Sequence, residues 1–234
     1  ALLSVFCIIS AGQAINDYFD AHIDKKQKKT RPLASGKISP NTALVFSILL
    51  FALGIVFASF LNELTFQIAV FFSALLFVYS AAMQKIKFVG NVVVALGVGF
   101  TFIFGASVYT ITPLVLMVAL SAFFSNWARE VMKDVEDVEM DKGHKITLPH
   151  VLARNDVNAL AIVLVLLTLA AGYLPTLFAG AGILYTILVS ATNVVFLLAA
   201  KDLIRDKPAS SASLMKKGML VGLLAQLSLI FRFL

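Results

Sequence analysis

The stretch Asn16-Asp17-Tyr18-Phe19-Asp20-Ala21-His22-Ile23-Asp24 closes an apolar run that begins at Ala1. A hydrophobic helix leaves its apolar surroundings there. At about 100° per residue, Asn16, Asp20, Asp24 and Asp17 fall at roughly 0°, 40°, 80° and 100°, so four oxygen-bearing side chains crowd one narrow face. Like charges that close repel one another unless a cation sits among them. A second cluster, Asp134-Val135-Glu136-Asp137-Val138-Glu139-Met140-Asp141, answers the first. Drawn as one helix, Asp134, Asp137 and Asp141 share an arc of about 60°; Glu130 lies beside them one turn earlier, while Glu136 and Glu139 point elsewhere. Oxygen-only clusters suit Mg²⁺, which is usually held by a few carboxylates plus substrate phosphates. Two such clusters on one membrane protein point to a diphosphate clamped through metal.

That the chain is a membrane protein follows from composition. Of its 234 residues 60% are hydrophobic and 14% charged, and its mean hydropathy is +0.93. A soluble domain of this size carries more charge against its apolar surface. At about 20 residues per span, the apolar runs predict eight helices, near residues 1–19, 41–61, 65–83, 91–110, 113–132, 157–173, 177–200 and 214–234. The expected architecture is an all-α, polytopic transmembrane bundle forming one domain over 1–234. The first run has neither an initiator Met, a basic leader nor a cleavage site, so it is not read as a signal peptide. One further helix is expected to precede it. The single cysteine, Cys7, excludes a disulfide framework and reads as packing.

The pI near 9.5 and the formal charge of +6 would suit a nucleic-acid ligand, but the placement of the charges does not. Loops 20–40, 84–90, 133–156 and 201–213, with their flanking helix ends, hold every Lys and Arg except Arg232. The alternate loops, 62–64, 111–112 and 174–176, hold none. This positive-inside pattern places the acidic clusters and the basic loops together on the cytoplasmic side of a cell membrane. Lys25 and Lys26 suit contact with anionic lipid. In Arg31-Pro32-Leu33-Ala34-Ser35-Gly36-Lys37, Pro and Gly impose a fixed turn on a basic pair, and Ser39-Pro40 opens the next helix. Gly90, Gly97, Gly99, Gly105, Gly218 and Gly222 are expected to let helices approach closely. Arg129 and Glu130, inside a span, are expected to face a polar interior. His22, His144 and His150 lack the spacing of zinc ligands.

A diphosphate is repelled by bare carboxylates, and Mg²⁺ between them reverses the sign and stabilises the leaving group. Basic side chains complete the neutralisation, with Lys85, Arg31, Lys142 and Lys145 as candidates. An allylic diphosphate so held loses its leaving group to a resonance-stabilised cation, which a nucleophile must meet with water excluded.

Asn16-Asp17-x-x-Asp20-x-x-x-Asp24 followed by Arg31-Pro32-Leu33 resembles the first motif of the UbiA-type intramembrane prenyltransferase superfamily. Asp134-x-x-Asp137-x-x-x-Asp141 resembles its second, and the Tyr79…Lys85…Gly90-Asn91 run between them also matches. The resemblance implies nine helices around a cavity that opens to the cytoplasmic side and the bilayer. It implies that Asn16, Asp20, Asp24, Asp134, Asp137 and Asp141 hold Mg²⁺ and the prenyl diphosphate, with Asp20, Asp24, Asp137, Asp141 and Lys85 serving catalysis. Asn16, Asp17, Arg31, Tyr79, Asn91, Arg129, Lys142 and Lys145 are then the substrate contacts. Lys28-Lys29-Thr30-Arg31-Pro32 stands where the hydroxybenzoate and haem-type branches carry Arg-Thr-x-x-Arg-Pro. The segments Arg31–Ser39 and Arg129–Pro149 are similar instead to the archaeal branch that makes an ether-lipid precursor. For that branch the donor is geranylgeranyl diphosphate and the acceptor is the free hydroxyl of geranylgeranylglyceryl phosphate, whose phosphate Lys142 and Lys145 suit.

An aromatic, quinone-precursor acceptor is the alternative within the same mechanism. A cation-coupled transporter would place its ionisable residues near the midplane on broken helices, not at helix ends on one side. A CDP-alcohol phosphotransferase would carry one dense Asp/Gly motif rather than two distant clusters.

Overall fold

The computed structural model describes residues 1–26, 31–82, 88–141 and 146–233. It contains α1 (Leu2–Lys26), α2 (Pro40–Ser59), α3 (Glu63–Ala81), α4 (Val89–Ser107), α5 (Pro113–Glu136), a short α6 (Val138–Asp141), α7 (Arg154–Phe178), α8 (Ile183–Ile204) and α9 (Pro208–Ser228). Two 3₁₀ turns, Leu148–His150 and Leu229–Phe233, complete it, and no strand occurs among the described residues. Eight of these helices are long and apolar enough to cross a membrane, as the apolar runs predict. Phe71, Leu116, Leu166, Ile187 and Leu220 are exposed on their helices, the surface a bilayer covers and water would not.

The helix ends differ from the expectation in one consistent way. Apolar runs mark where hydrocarbon ends, but they do not set a helix end, since a hydrogen-bonded helix continues until a cap or a breaker stops it. So α1 runs on to Lys26 and α5 to Glu136, carrying acidic residues out on helical scaffolds. Helix α9 begins at Pro208 rather than near 214, with Pro in the first turn where its missing N–H costs nothing. Helix α7 passes through Pro175, where a loop was expected, and ends at Phe178. There the Pro175 carbonyl accepts from the N–H groups of Ala179 (3.1 Å) and Ala181 (3.0 Å) and closes the helix.

The described residues form two compact units. The first, residues 1–90 and 104–110, packs α1, α2 and α3 around Ile8, Ala11, Ile15, Phe51, Ala58, Ala69 and Phe104. Helices α1 and α2 meet closely because Gly54 has no side chain: a Cβ there would lie 2.6 Å from Ile8 Cγ1. Ser4 Oγ uses that approach to donate to the Gly54 carbonyl at 2.7 Å. Asn62 caps α3 by accepting from Thr65 N at 2.9 Å and donates to the Ser107 carbonyl at the end of α4 at 2.8 Å. Cys7 is buried and free.

The second unit, residues 91–103 and 111–234, packs α5, α7, α8 and α9 around Val131, Met132, Val135, Val157, Leu164, Phe196, Leu203 and Met215. Of the glycines expected to mediate close packing, Gly99 and Gly218 do so. A Cβ on Gly99 would meet the Ala119 carbonyl at 2.9 Å, and one on Gly218 would meet the Phe196 ring at 2.6 Å. Gly97 and Gly105 face nothing within 4 Å, and Gly222 makes ordinary contact, so the small-residue stripe is not one continuous interface.

Candidate active site

The first acidic cluster belongs to the first unit, at the end of α1. Its narrow face resolves into two pairs, as the helical angles imply. Asn16 Nδ2 donates to Asp20 Oδ2 at 3.0 Å, one turn apart. Asp17 and Asp24, two turns apart, are bridged by Arg31, whose Nη1 donates to Asp17 Oδ1 at 2.6 Å and to Asp24 Oδ2 at 3.0 Å. Asp24 is 3% exposed and the other acids of α1 are half-buried. A carboxylate that far from water is stable only with a charge-assisted partner.

Arg31 reaches back because the turn after it is fixed. Ser35 N donates to the Arg31 carbonyl at 2.9 Å and Lys37 N to the Pro32 carbonyl at 2.9 Å. Gly36 takes φ +77°, a conformation that favours glycine. Ser39 then caps α2, accepting from Thr42 N at 3.1 Å. The turn expected from Pro and Gly is present, but its arginine first serves the acids. That role is not apparent from spacing alone, since Arg31 lies fourteen residues from Asp17.

The second cluster belongs to the second unit. Asp134 is 9% exposed on α5 and accepts from Asn91 Nδ2 at 2.8 Å, a bond linking α4 to α5. The single helix drawn through this motif is not what forms. Helix α5 stops at Glu136, Asp137 caps it with φ −88° and ψ 0°, and α6 carries Asp141. The break is local, because Asp137 N donates to the Lys133 carbonyl and Asp141 N to the Asp137 carbonyl, each at 2.9 Å. The 60° arc therefore does not describe Asp137 and Asp141, whose directions are set by the break. Asp137 is partly exposed, with Lys133 Nζ 4.0 Å away. Glu136 and Glu139 are exposed, off the buried face as expected. Arg129 pairs with its neighbour Glu130, both half-buried. His150 is a structural group, its Nδ1 accepting from Thr147 N at 3.2 Å.

Tyr79 is half-buried near the end of α3. Lys85, Lys142 and Lys145 lie outside the described residues, as does the side chain of His22.

The donors offered by both clusters are oxygens, the set that Mg²⁺ takes. A cationic nitrogen already sits between Asp17 and Asp24, so that pair accommodates positive charge. Among the described residues no three His, Cys, Asp or Glu side chains converge tightly enough to hold a metal alone. A cation here would draw further ligands from water or from a substrate's phosphates. The residues fit Mg²⁺ in that shared sense.

The model of the UbiA prenyltransferase family matches residues 1–224. A digeranylgeranylglyceryl phosphate synthase of Thermococcus kodakarensis is 39% identical over 212 residues, covering 90% of this chain and 76% of that protein. A solved digeranylgeranylglyceryl phosphate synthase structure superposes with a TM-score of 0.84 at 32% identity, covering 98% of this chain and 83% of the other. A UbiA homologue from Archaeoglobus fulgidus, bound to GPP and Mg²⁺, shares the fold with a TM-score of 0.73 at 20% identity, covering 94% and 86%.

Proposed function

The chain belongs to the UbiA prenyltransferase family, and from that premise we propose the reaction this multi-pass membrane enzyme performs. It transfers a geranylgeranyl group from its diphosphate to the free hydroxyl of geranylgeranylglyceryl phosphate. The 39% identity to the Thermococcus kodakarensis synthase, over 90% of this chain, is the observation that carries the acceptor. The bond between C1 of the prenyl group and its diphosphate oxygen breaks, with the electron pair leaving on diphosphate. The acceptor oxygen forms a new bond to C1 and gives up its proton.

Mg²⁺, when bound, neutralises the diphosphate and stabilises the charge that develops as it leaves. Asp20 and Asp24 from the first motif, and Asp134, Asp137 and Asp141 from the second, would supply its carboxylate oxygens. Asn16 orients Asp20, and Asn91 orients Asp134. Arg31 bonds both Asp17 and Asp24 through Nη1, and the rest of its guanidinium fork presents further donors to a phosphate. Lys85 adds a second cation from the sequence motif.

The distribution of basic residues among the loops supports a cytoplasmic side for this chemistry. Single cysteines tested for labelling check that placement, and the buried Cys7 leaves a quiet background. Cysteine at Lys28 or Lys142 is expected to label only from the cytoplasm, and at the exposed Glu63 only from outside. Glu63 is preferred to Asn62, which caps α3. Labelling of the Lys28 and Lys142 positions from opposite faces would break the arrangement.

The acceptor is tested by offering the purified protein geranylgeranyl diphosphate with either geranylgeranylglyceryl phosphate or an aromatic acid. Consumption of the glyceryl phosphate is expected. Exclusive consumption of the aromatic acid would move the enzyme to a quinone-type branch.

A further inference from the structure

The second unit holds a half-open cavity of about 430 Å³ among α4, α5, α7, α8 and α9. Its wall is chiefly apolar, including Phe102, Phe196 and Leu223. Asn126 and Arg129 from α5, Asn193 from α8 and Lys216 from α9 interrupt that wall.

Two of these polar groups lack a use within the protein. Asn193 is 5% exposed, yet its Nδ2 makes no hydrogen bond. A buried amide without a partner is a costly feature unless something else occupies the space. Lys216 lies eight residues into α9, about 12 Å from the start of the helix. It has no acidic partner among the described residues, whereas Arg129 is paired with Glu130. Lys216 is an exposed residue that also lines the cavity, so its ammonium is available to a ligand there.

Lys216 and Arg129 are donors only, and Asn193 offers its Nδ2. The ligand they fit is rich in acceptors and anionic, and the apolar wall around them fits a hydrocarbon chain. An amphiphile with a phosphate headgroup meets both requirements. Arg129 precedes Asp134 by five residues, about 7.5 Å along α5.

We propose that Lys216 and Asn193, with Asn126 and Arg129, bind the phosphate headgroup of the acceptor lipid. The inference rests on the acceptor reading above and moves the headgroup from the Lys142–Lys145 loop to this cavity. It was not apparent from the sequence because Lys216 counts there among the loop-flanking charges.

The experiment compares wild type, Lys216→Met, Lys216→Arg, Asn193→Ala and Lys145→Ala by steady-state kinetics in detergent. Each receives geranylgeranyl diphosphate with geranylgeranylglyceryl phosphate, or with the unphosphorylated geranylgeranylglycerol. Lys216→Met is expected to raise the KM for the glyceryl phosphate about tenfold or more, the loss of a charge-assisted hydrogen bond. Its KM for the prenyl diphosphate should stay within about twofold, the mark of an interaction confined to one substrate. Lys216→Arg should restore most of the loss, and Asn193→Ala should show a smaller change of the same kind. With geranylgeranylglycerol, Lys216→Met and wild type should be alike.

Equal effects on both substrates, or none, would overturn the assignment, as would an acceptor-specific effect confined to Lys145→Ala. If Lys216→Met is not recovered from membranes, Asn193→Ala and Lys216→Arg decide the matter on the same KM comparison. A parallel series with and without phosphatidylglycerol separates the other source of a phosphate. If Lys216→Met loses only an activation by that lipid, the site holds a membrane headgroup and the proposal fails. Wild-type failure to use the glyceryl phosphate would overturn the acceptor reading itself. Wild-type turnover with unaffected variants would overturn this inference alone.

Discussion

Asp20→Asn and Asp137→Asn are each expected to lower kcat by about 10²–10³-fold or more, the scale of losing one group that stabilises transition-state charge. Both substitutions keep size and most hydrogen bonding while removing the negative charge. The choice of positions matters. Asp24 is 3% exposed and bonded to Arg31, so its replacement also weakens a charge-assisted bond at a buried position and confounds the readout. Asp20 is half-buried with Asn16 as a neutral donor, and Asp137 is partly exposed with Lys133 4.0 Å away. Glu136→Gln, on the exposed face at the end of α5, is the control and should stay near wild-type rate. Unchanged turnover in Asp20→Asn or Asp137→Asn, measured on membrane-inserted protein, would remove that cluster from the reaction.

Removal of divalent metal should have the other large effect. Turnover is expected to vanish in EDTA and return with Mg²⁺, because bare carboxylates repel the diphosphate they must hold. Thermal unfolding without substrate should be nearly unmoved by EDTA. No three acidic or histidine side chains among the described residues form a metal group alone, and each helical unit is held internally by apolar packing, with an interhelical hydrogen bond such as Ser4 to Gly54 in the first. A large loss of stability in EDTA would mean that metal is structural, with the site assembled before substrate arrives.

The transmembrane architecture was readable because lipid imposes a strong rule: apolar runs of the right length become helices. The rule says little about where helices end, and there the reading failed. Pro175 looked like a boundary and sits inside α7, while α1 and α5 outlast their apolar runs by a turn or more. The motifs were readable as residue types at fixed spacing, and the Asn16–Asp20 pair follows from one helical turn. The break at Asp137 did not follow, since Val135-Glu136-Asp137-Val138 contains no glycine or proline to signal it. Nor did the contacts made across distance in sequence. Asn91 meets Asp134 over 43 residues and Arg31 meets Asp17 over 14, and each depends on how helices or turns pack. Asn193 and Lys216 are hidden for the same reason, on different helices around one cavity.

The central claim is that the two acidic motifs serve one prenyl diphosphate as a unit. A double-mutant cycle tests it most directly, with kcat measured for wild type, Asp20→Asn, Asp137→Asn and the double variant under saturating Mg²⁺ and both substrates. Groups that act as a unit are strongly non-additive. The account predicts that the double variant is about as slow as the slower single variant. Losses that multiply in the double variant would show two motifs acting independently and contradict it.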